Sequence, residues 1–189
     1  DTSYRLFFAE SDGIPGVIID RDNDYLVIQV LTLGVETRKQ IIISALIDLL
    51  APKGIFEKSN AKSRELEGLQ PQNQILYGDF PDVIEMQQDE LIFLVDVEQG
   101  QKTGFFLDQR ENRRAFAKYV KAGDKVLDCF CYTGSFALIA AQKGAQVTGL
   151  DASSRAVEIS QESAKINKLE HACHFQEADV LPTLRELDG

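Results

Sequence analysis

The sequence is poor in the residues that would mark a disulfide-stabilised, metal-binding or membrane protein. It has three cysteines and no Cys-x-x-Cys pair, which supports neither a disulfide framework nor a zinc site. No apolar run is long enough to cross a bilayer, because the run that begins at Ile41 meets Asp48. We expect a soluble protein of the reducing cytoplasm, with no membrane partner and no bound metal.

Basic residues are also few. The chain has 20 Lys and Arg against 30 Asp and Glu, a net charge of −10, whereas surfaces that bind nucleic acid by neutralising phosphates are usually basic. Any contact with nucleic acid should therefore be local or supplied by another part of the protein. A hydrophobic content of 44% with 13 Gly and 5 Pro is typical of a globular chain with one large or two small domains.

Residues 1–98 are predicted to form a small α+β domain. Short β-branched and aromatic runs, such as Tyr25 to Val30, are separated by turn residues and indicate strands. Apolar residues recur at helical spacing from Glu36 to Leu50, where Pro52 follows. With the strand from Gly54 and a hairpin at 83–95, the predicted order is strand, strand, helix, strand, strand.

Residues 99–189 are predicted to form part of a Rossmann-like domain of the α/β class. Strands are expected at 125–129, 146–150 and 173–177, and helices at 110–120, 135–143 and 154–167. Such alternation implies a parallel sheet with crossover helices. Because three strands leave one flank of a buried sheet uncovered, and because the chain begins at Asp1 without Met, we expect a truncated sheet and two cut ends.

The first candidate site lies between Val126 and Phe136, where an apolar strand is followed by a turn and a helix. In a doubly wound fold this turn lies at the carboxyl end of the sheet, where ligands bind. It is not a G-x-G-x-x-G turn, since Phe130 and Tyr132 occupy positions where a pyrophosphate would need small residues. A dinucleotide is therefore disfavoured.

Acidic residues at the next two strand ends point to an adenosine. Asp151 can accept hydrogen bonds from both hydroxyls of a ribose, and Asp179 can accept one from an adenine amino group while Val180 packs on the ring. Asp151 could instead cap the helix that begins near Ser153, and this alternative stays open. An adenosine-bearing ligand without a pyrophosphate suits S-adenosylmethionine.

Two motifs carry a family resemblance. Lys102 to Arg110 reads KTGFFLDQR and Leu127 to Gly134 reads LDCFCYTG; Asp12 to Arg21 and the region of Glu57 to Ser59 extend the match through essentially the whole chain. The sequence closely resembles the bacterial large-subunit ribosomal RNA methyltransferases that make 5-methylcytosine. The resemblance implies an N-terminal PUA RNA-binding domain, a central sheet-and-helix domain and a C-terminal class I methyltransferase domain, of which this chain would hold the second and part of the third.

The resemblance also implies the site residues. They fall into a group that closes over the methionine end, a cofactor cradle, a ribose group and an adenine pair. These groups are, in order, Phe106, Asp108, Gln109 and Arg110; Asp128, Cys129, Phe130, Tyr132, Thr133 and Gly134; Asp151, Ala152 and Ser153; Asp179 and Val180. The family's Asp-Pro-Pro segment and nucleophilic Cys would lie beyond Gly189, so no catalytic residue is assigned and the chain itself should be inactive.

Other reactive side chains are given ordinary roles. A nucleophilic role for Cys129 or Cys131 is disfavoured, because a small, buried side chain is the usual occupant of such positions. His171 and His174 have no metal-spaced partner. The basic residues from Arg110 to Lys121 could form a phosphate-binding stripe or a solvated helix face.

The sequence thus predicts transfer of a methyl group from S-adenosylmethionine to a cytosine of large-subunit ribosomal RNA, either free or partly assembled. Two alternatives stay open. One is a guanine-N7 RNA methyltransferase, and the other is a non-catalytic module that binds S-adenosylmethionine or RNA. The assembly state is also open, with a homodimer as one option.

Overall fold

The computed structural model describes residues 1–187, which form two compact units. The first comprises Asp1–Met86 and Asp96–Leu107, and the second comprises Gln87–Val95 and the residues from Asp108 onward. The predicted domain boundary between residues 98 and 99 stays a prediction, and the last two residues of the predicted second domain lie outside the described residues.

The first unit contains a five-stranded sheet with strand order β1-β2-β3-β4-β5. Neighbouring strands are antiparallel except β3 and β4, which are parallel and therefore need a crossover connection. Helices α1 and α2 lie in that connection. The elements are β1 Ser3–Phe8, β2 Val17–Asp22, β3 Tyr25–Val30, α1 Leu33–Glu36, α2 Lys39–Leu50, β4 Gly54–Ser59, α3 Ser63–Leu66 and β5 Gln72–Gly78.

The core of the first unit lies between the sheet and α2. Alternate residues of β2 and β3 point into it, and Ile43 and Leu46 of α2 pack against them. Burial of one such aliphatic side chain contributes about 1.5 to 3 kcal/mol, so this apolar face stabilises the unit. The fully enclosed set is Val17, Ile19, Leu26, Ile28, Val30, Val35, Ile43, Leu46 and Ile55.

Strand β5 was not predicted. It begins with three polar residues and most of it is exposed, so it lacks the apolar alternation that marks a half-buried strand. Its backbone pairs with β4 at the edge of the sheet, and this pairing, rather than its side chains, makes it a strand.

The predicted hairpin is present as β6 Val83–Gln88 and β7 Leu91–Asp96.

The second unit contains a three-stranded sheet in the order β10-β9-β8, and both strand pairs are parallel. The predicted α/β fold with a parallel sheet is confirmed. Its elements are α4 Arg110–Phe116, β8 Lys125–Cys129, α5 Ser135–Gln142, β9 Gln146–Asp151, α6 Ser154–Ile166, β10 Cys173–Glu177 and α7 Val180–Leu187.

The second unit differs from the prediction in two ways: α4 is shorter, and residues Gln87–Val95 belong to this unit. Helix α4 ends at Phe116 rather than near Val120, and the chain then turns, with the Asp124 carboxylate accepting a hydrogen bond from the Lys121 N–H at 2.8 Å. The part of β7 that belongs to this unit docks on the end of α6, because Asn167 both accepts from the Ile92 N–H at 2.9 Å and donates to the Ile92 carbonyl at 2.6 Å.

No helix in residues 1–187 combines the length and apolarity needed to cross a bilayer.

Candidate cofactor site

The candidate site is built on the loop that joins β8 to α5. The Cys131 N–H donates to the Leu150 carbonyl at 2.9 Å, and the Tyr132 N–H donates to Asp151 Oδ2 at 2.8 Å. The Gly134 N–H closes the turn on the Cys131 carbonyl at 2.9 Å. The loop after β8 is therefore fixed to the end of the neighbouring strand, β9.

The backbone of this loop is strained. Phe130, Tyr132 and Gly134 have φ values of +58°, +50° and +74°, in the left-handed region that costs a non-glycine residue about 1 to 3 kcal/mol. The hydrogen bonds to β9 hold the loop in this conformation. Strain of this kind is typical of ligand-binding turns, where a fixed backbone shape is needed before the ligand arrives.

Two glycines allow the loop to lie on the sheet. A Cβ on Gly134 would lie 2.9 Å from Phe175 and from Ser160, and a Cβ on Gly149 would lie 2.5 Å from Phe175 and 3.1 Å from Cys131 Sγ. Phe175, 5% exposed, thus packs beneath the loop. The supporting roles of Gly149 and Phe175 were not predicted, although a glycine inside a strand often marks a close approach.

Asp128 and Asp151 place two carboxylates at this edge of the sheet. Asp128 Oδ2 accepts a hydrogen bond from the Ala137 N–H at 3.1 Å, at the start of α5. Burial raises the pKa of Asp128 to about 6, the Ala137 N–H lowers it, and the charge of Asp151 raises it further. A carboxylate in this environment is stabilised by a ligand that carries positive charge.

Asp151 supports two backbone segments. Its Oδ2 binds the Tyr132 N–H, and its Oδ1 accepts from the Ser153 N–H at 2.9 Å. Helix α6 is capped by Ser153, whose Oγ accepts from the Ala156 N–H at 3.2 Å. Asp151 is therefore not the N-cap residue itself. Each of its oxygens retains a lone pair that can accept from a ligand hydroxyl.

The two carboxylates have no counter-ion of their own. Across the described residues, every hydrogen bond to Asp128 and Asp151 comes from a backbone N–H, and neither side chain is in an ion pair. In the same loop the Thr133 hydroxyl is buried without a hydrogen-bond partner. The donors and acceptors present therefore fit a ligand that is cationic near the loop and has hydroxyl groups to donate.

Asp179 and Val180 follow at the same edge. The Ala178 N–H donates to the Asp151 carbonyl at 2.9 Å, which continues the pairing of β10 with β9 beyond Glu177. Asp179 is exposed, and its carbonyl accepts from the Thr183 hydroxyl at 2.8 Å. Val180 is 1% exposed, so its side chain packs within the protein. Their contacts with an adenine stay predictions, as do those of the exposed Ala152 and Ser153.

The residues predicted to close over the methionine end lie in a continuous segment. Phe105 is 4% exposed while Phe106 is half-buried, so Phe106 is the more accessible of the two adjacent rings. Gln109 Oε1 accepts from Asn112 Nδ2 at 2.9 Å. Phe106 belongs to the first unit, and Asp108, Gln109 and Arg110 belong to the second. Their contacts with a ligand stay predictions.

The segment that leads to Phe106 is anchored by buried polar groups of the first unit. The Lys58 ammonium, 2% exposed, donates to the carbonyls of Val97 and Gly100. The Thr103 hydroxyl donates to Asp20 Oδ2 at 2.5 Å. These bonds hold the backbone of residues 97–103 in place. They also give one residue of the KTGFFLDQR motif, Thr103, a structural role.

Two of the three cysteines, Cys131 and Cys173, are not activated. Cys131 is 6% exposed, and its burial, together with the charges of Asp128 and Asp151, raises the pKa of its thiol well above the ordinary value. Burial raises the pKa of Cys173 to about 11. Because the thiolate is the nucleophile, neither side chain is suited to attack a base. His171 and His174 are exposed, and residues 1–187 contain no cluster suited to a metal ion.

The arginines of α4 do not form a stripe. Arg113 is 0% exposed, it donates to Gln88 Oε1 at 2.6 Å, and burial lowers its pKa to about 10. Arg114 pairs with Asp89 at 2.8 Å and with Glu111 at 2.9 Å. Both alternatives drawn from the sequence fail for Arg113, because a fully buried guanidinium is neither a phosphate contact nor part of a solvated face.

Comparison with known proteins agrees with this geometry. A family model described as a methyltransferase domain matches residues 120–187. A candidate S-adenosylmethionine-dependent methyltransferase from Streptococcus mutans superposes with a TM-score of 0.84 at 27% identity, covering 99% of this chain and 48% of that one. The chain has a class I methyltransferase fold. A candidate methyltransferase solved with bound SAH matches this fold with the same score, identity and coverage.

Several proteins that are similar to this chain in sequence are named as ribosomal RNA methyltransferases. The ribosomal RNA large subunit methyltransferase I of Aeromonas hydrophila is 43% identical over 189 residues, and that of Pseudoalteromonas atlantica is 43% identical over 187. Each alignment covers 98% of this chain and 47% of the relative, so the chain spans about half the length of these relatives. The similarities agree with the predicted enzyme class and cofactor.

Proposed function

We propose that this chain is the S-adenosylmethionine-binding part of a methyltransferase that modifies large-subunit ribosomal RNA, with cytosine C5 as the methyl acceptor. The observation that carries the cofactor assignment is the pair Asp128 and Asp151, two carboxylates that have no counter-ion among the described residues. When bound, S-adenosylmethionine supplies an electrophilic methyl group on a positively charged sulphur. The ribosomal substrate is supported by the names of the relatives.

Each group of residues has a proposed task. Asp151, with Ala152 and Ser153 beside it, accepts the ribose hydroxyls, and Asp179 with Val180 meets the adenine. The loop that includes Cys129, Phe130, Tyr132, Thr133 and Gly134 presents its backbone and the buried Thr133 hydroxyl to the cofactor. By resemblance, Phe106, Asp108, Gln109 and Arg110 cover the methionine end.

Charge argues against a dinucleotide. A pyrophosphate would bring two negative charges toward Asp128 and Asp151, and like charges within a few ångströms raise the free energy of the complex. A sulfonium and an ammonium bring positive charge to the same carboxylates. The loop also has Phe130 and Tyr132 where a pyrophosphate needs small residues.

The cytosine assignment rests on the resemblance carried by KTGFFLDQR and LDCFCYTG. Methylation at cytosine C5 requires a thiolate that attacks the ring. We do not assign this role to Cys131 or Cys173, because burial raises the pKa of both thiols.

Calorimetry of this chain with S-adenosylmethionine, SAH and NAD tests the cofactor. We expect binding of S-adenosylmethionine and no detectable binding of NAD. Asp128→Asn should weaken S-adenosylmethionine more than SAH, because SAH has a neutral sulphur. The control is Asp124→Asn, which removes a carboxylate charge near the other end of β8. Preference for NAD, or binding of neither ligand, contradicts the cofactor assignment.

The RNA product tests the reaction. The full-length natural protein would be incubated with large-subunit RNA and radiolabelled S-adenosylmethionine, and the RNA would then be digested to nucleosides. We expect the label in 5-methylcytidine. Label in 7-methylguanosine would replace the cytosine assignment, and a cofactor-binding protein that labels no RNA would indicate a non-catalytic module.

A further inference from the structure

Four exposed lysines meet at the edge of the second sheet where its strands begin. Lys118 and Lys121 follow α4, Lys125 begins β8, and Lys143 lies three residues before the start of β9. The two loops are joined, because the Gly123 N–H donates to the Gly144 carbonyl at 2.9 Å. We call these four residues the lysine cluster.

Further contacts hold the two loops together. The Gln146 N–H donates to the Asp124 carbonyl at 2.8 Å, and Lys125 is paired with Gln146 in the sheet. Ala117, next to Lys118, and Lys143 line the same surface cavity. The positions of Lys121, Lys125 and Lys143 relative to one another therefore follow from the parallel pairing of β8 and β9, and Lys118 lies in the turn after α4.

The lysine cluster is not neutralised by the protein. In the described chain none of its four ammonium groups is in an ion pair, whereas the exposed Arg114 is held by Asp89 and Glu111. The acidic residue within the loop, Asp124, uses a carboxylate oxygen to bind the Lys121 N–H at 2.8 Å. Acidic residues lie nearby, Asp89 and Glu90 in the cavity that Lys143 lines and Glu170 in the cavity that Lys125 lines, but Asp89 is paired with Arg114. The lysine cluster therefore supplies four cations outside ion pairs on a chain with net charge −10.

An aromatic side chain lies beside these charges. Tyr119 lies between Lys118 and Lys121 and is 81% exposed. Unpaired cations that follow a phosphate backbone, combined with an aromatic ring on which a base can stack, are the usual parts of a single-stranded nucleic-acid surface. Stacking of one base contributes about 1 to 3 kcal/mol in such sites.

We infer that the lysine cluster and Tyr119 form an RNA-binding surface that contacts the phosphate backbone and one unpaired base of the substrate. The inference rests on the proposed function, in that the substrate is RNA. The surface lies at the opposite ends of the strands from Asp128 and Asp151. At roughly 3.3 Å per residue, Lys125 is about 10 Å from Asp128 along β8, and the first residue of β9 is about 16 Å from Asp151. It should therefore raise the affinity for RNA without touching the cofactor.

Fluorescence anisotropy of a labelled 20-nucleotide single-stranded RNA, titrated with this chain at several salt concentrations, tests the surface. Each phosphate contact to single-stranded RNA contributes about −0.7 to the slope of log affinity against log salt. Lys121→Gln with Lys125→Gln should reduce that slope by roughly 1.4 and weaken binding. The control pair, Lys62→Gln with Lys165→Gln, removes the same charge from exposed lysines elsewhere and should change little.

The aromatic contact has its own test. Tyr119→Leu should weaken RNA binding about 5- to 160-fold at constant salt, which corresponds to loss of one stacked base, and Tyr119→Phe should restore it. The inference would be overturned if both lysine double variants lost the same affinity for RNA, or if the parent chain did not bind RNA. It would also be overturned if the parent chain bound polyglutamate as tightly as it binds RNA.

Calorimetry with S-adenosylmethionine separates this inference from the proposed function. The lysine and Tyr119 variants should bind the cofactor as the parent does. A parent chain that binds RNA through the lysines but binds no S-adenosylmethionine would contradict the proposed function and leave the RNA surface supported. If the parent chain bound S-adenosylmethionine, but the lysine double variant bound RNA as tightly as the parent, the proposed function would be supported and the RNA surface contradicted.

Discussion

The Asp151 carboxylate accepts a hydrogen bond from the Tyr132 N–H at 2.8 Å. The residue at the end of β9 that we propose to hold the ribose therefore also holds the loop after β8. Loop geometry and ribose binding depend on one side chain, so substitution of Asp151 should affect both.

Asp151→Ala should weaken S-adenosylmethionine binding by about 1 to 3 kcal/mol, the range for leaving buried hydrogen-bonding groups without a partner. Calorimetry measures the affinity, and a urea titration of each protein shows whether the variant is folded. Asp124→Ala is the control, since it removes a carboxylate that also binds a backbone N–H. Unchanged affinity in a folded Asp151→Ala protein would remove the ribose assignment.

Cofactor affinity should depend on pH through Asp128. Burial raises the pKa of this carboxyl to about 6, so it is largely neutral at pH 5 and ionised at pH 7.5. The affinity for cationic S-adenosylmethionine should therefore rise as the pH increases through 6. Calorimetry at five pH values checks this, and Asp128→Asn should flatten the profile. A wild-type profile that is already flat contradicts a charge interaction at Asp128.

Gly134→Ala should destabilise the second unit by about 1 to 3 kcal/mol, because an added Cβ would lie 2.9 Å from the Phe175 ring. Gly123→Ala separates this clash from backbone strain: Gly123 has a similar φ of +85° and nothing within 4 Å of its Cβ position. Urea unfolding of the two variants gives the difference. Equal destabilisation would mean that the clash with Phe175 contributes nothing.

Asp22 should make the stability of the first unit depend on pH. Burial raises the pKa of this carboxyl from 3.8 to about 7, an effect that the Ser3 hydroxyl opposes and the Asp20 charge increases. A raised pKa in the folded state means that the contribution is complete below pH 4 and is lost as the pH rises through 7. The free energy of unfolding, measured at pH 4 to 8, should fall less steeply in Asp22→Asn.

The matched control for that experiment is Asp24→Asn. Asp24 is partly exposed and pairs with Lys53 at 2.8 Å, which lowers its pKa. This contribution is present above the unfolded pKa and lost on acidification, so the control should have a small effect of the opposite sign. A pH dependence that is the same with and without Asp22 would show that this carboxyl does not titrate in the range.

Much of the second unit could be predicted from the sequence. The strands at 125–129 and 173–177 have the predicted bounds, and the helix from Ser154 begins where predicted. Strand and helix periods differ, so the local pattern is informative there. The first unit was harder, because edge strand β5 is polar and is defined by its pairing with β4.

The chemistry of the candidate site was readable from single residues at strand ends. Asp151 was identified because ligands bind at the carboxyl ends of parallel strands, and Asp128 was identified through the family resemblance. Their shared lack of a counter-ion, and the fit of Gly149 and Gly134 over Phe175, depend on the register of three strands. Register sets which side chains meet, and it is not encoded in any one segment.

Local composition and spacing were enough to establish the acidic balance, the alternation of strands and helices in the second unit and the motifs that carry the family resemblance. Which basic groups are available depended on the tertiary fold. It buries Arg113, pairs Arg114 with acids, and brings Lys121 and Lys143 to adjoining loops. Burial and charge pairing depend on residues distant in the chain, which is why helical spacing alone could not show that Arg113 is buried.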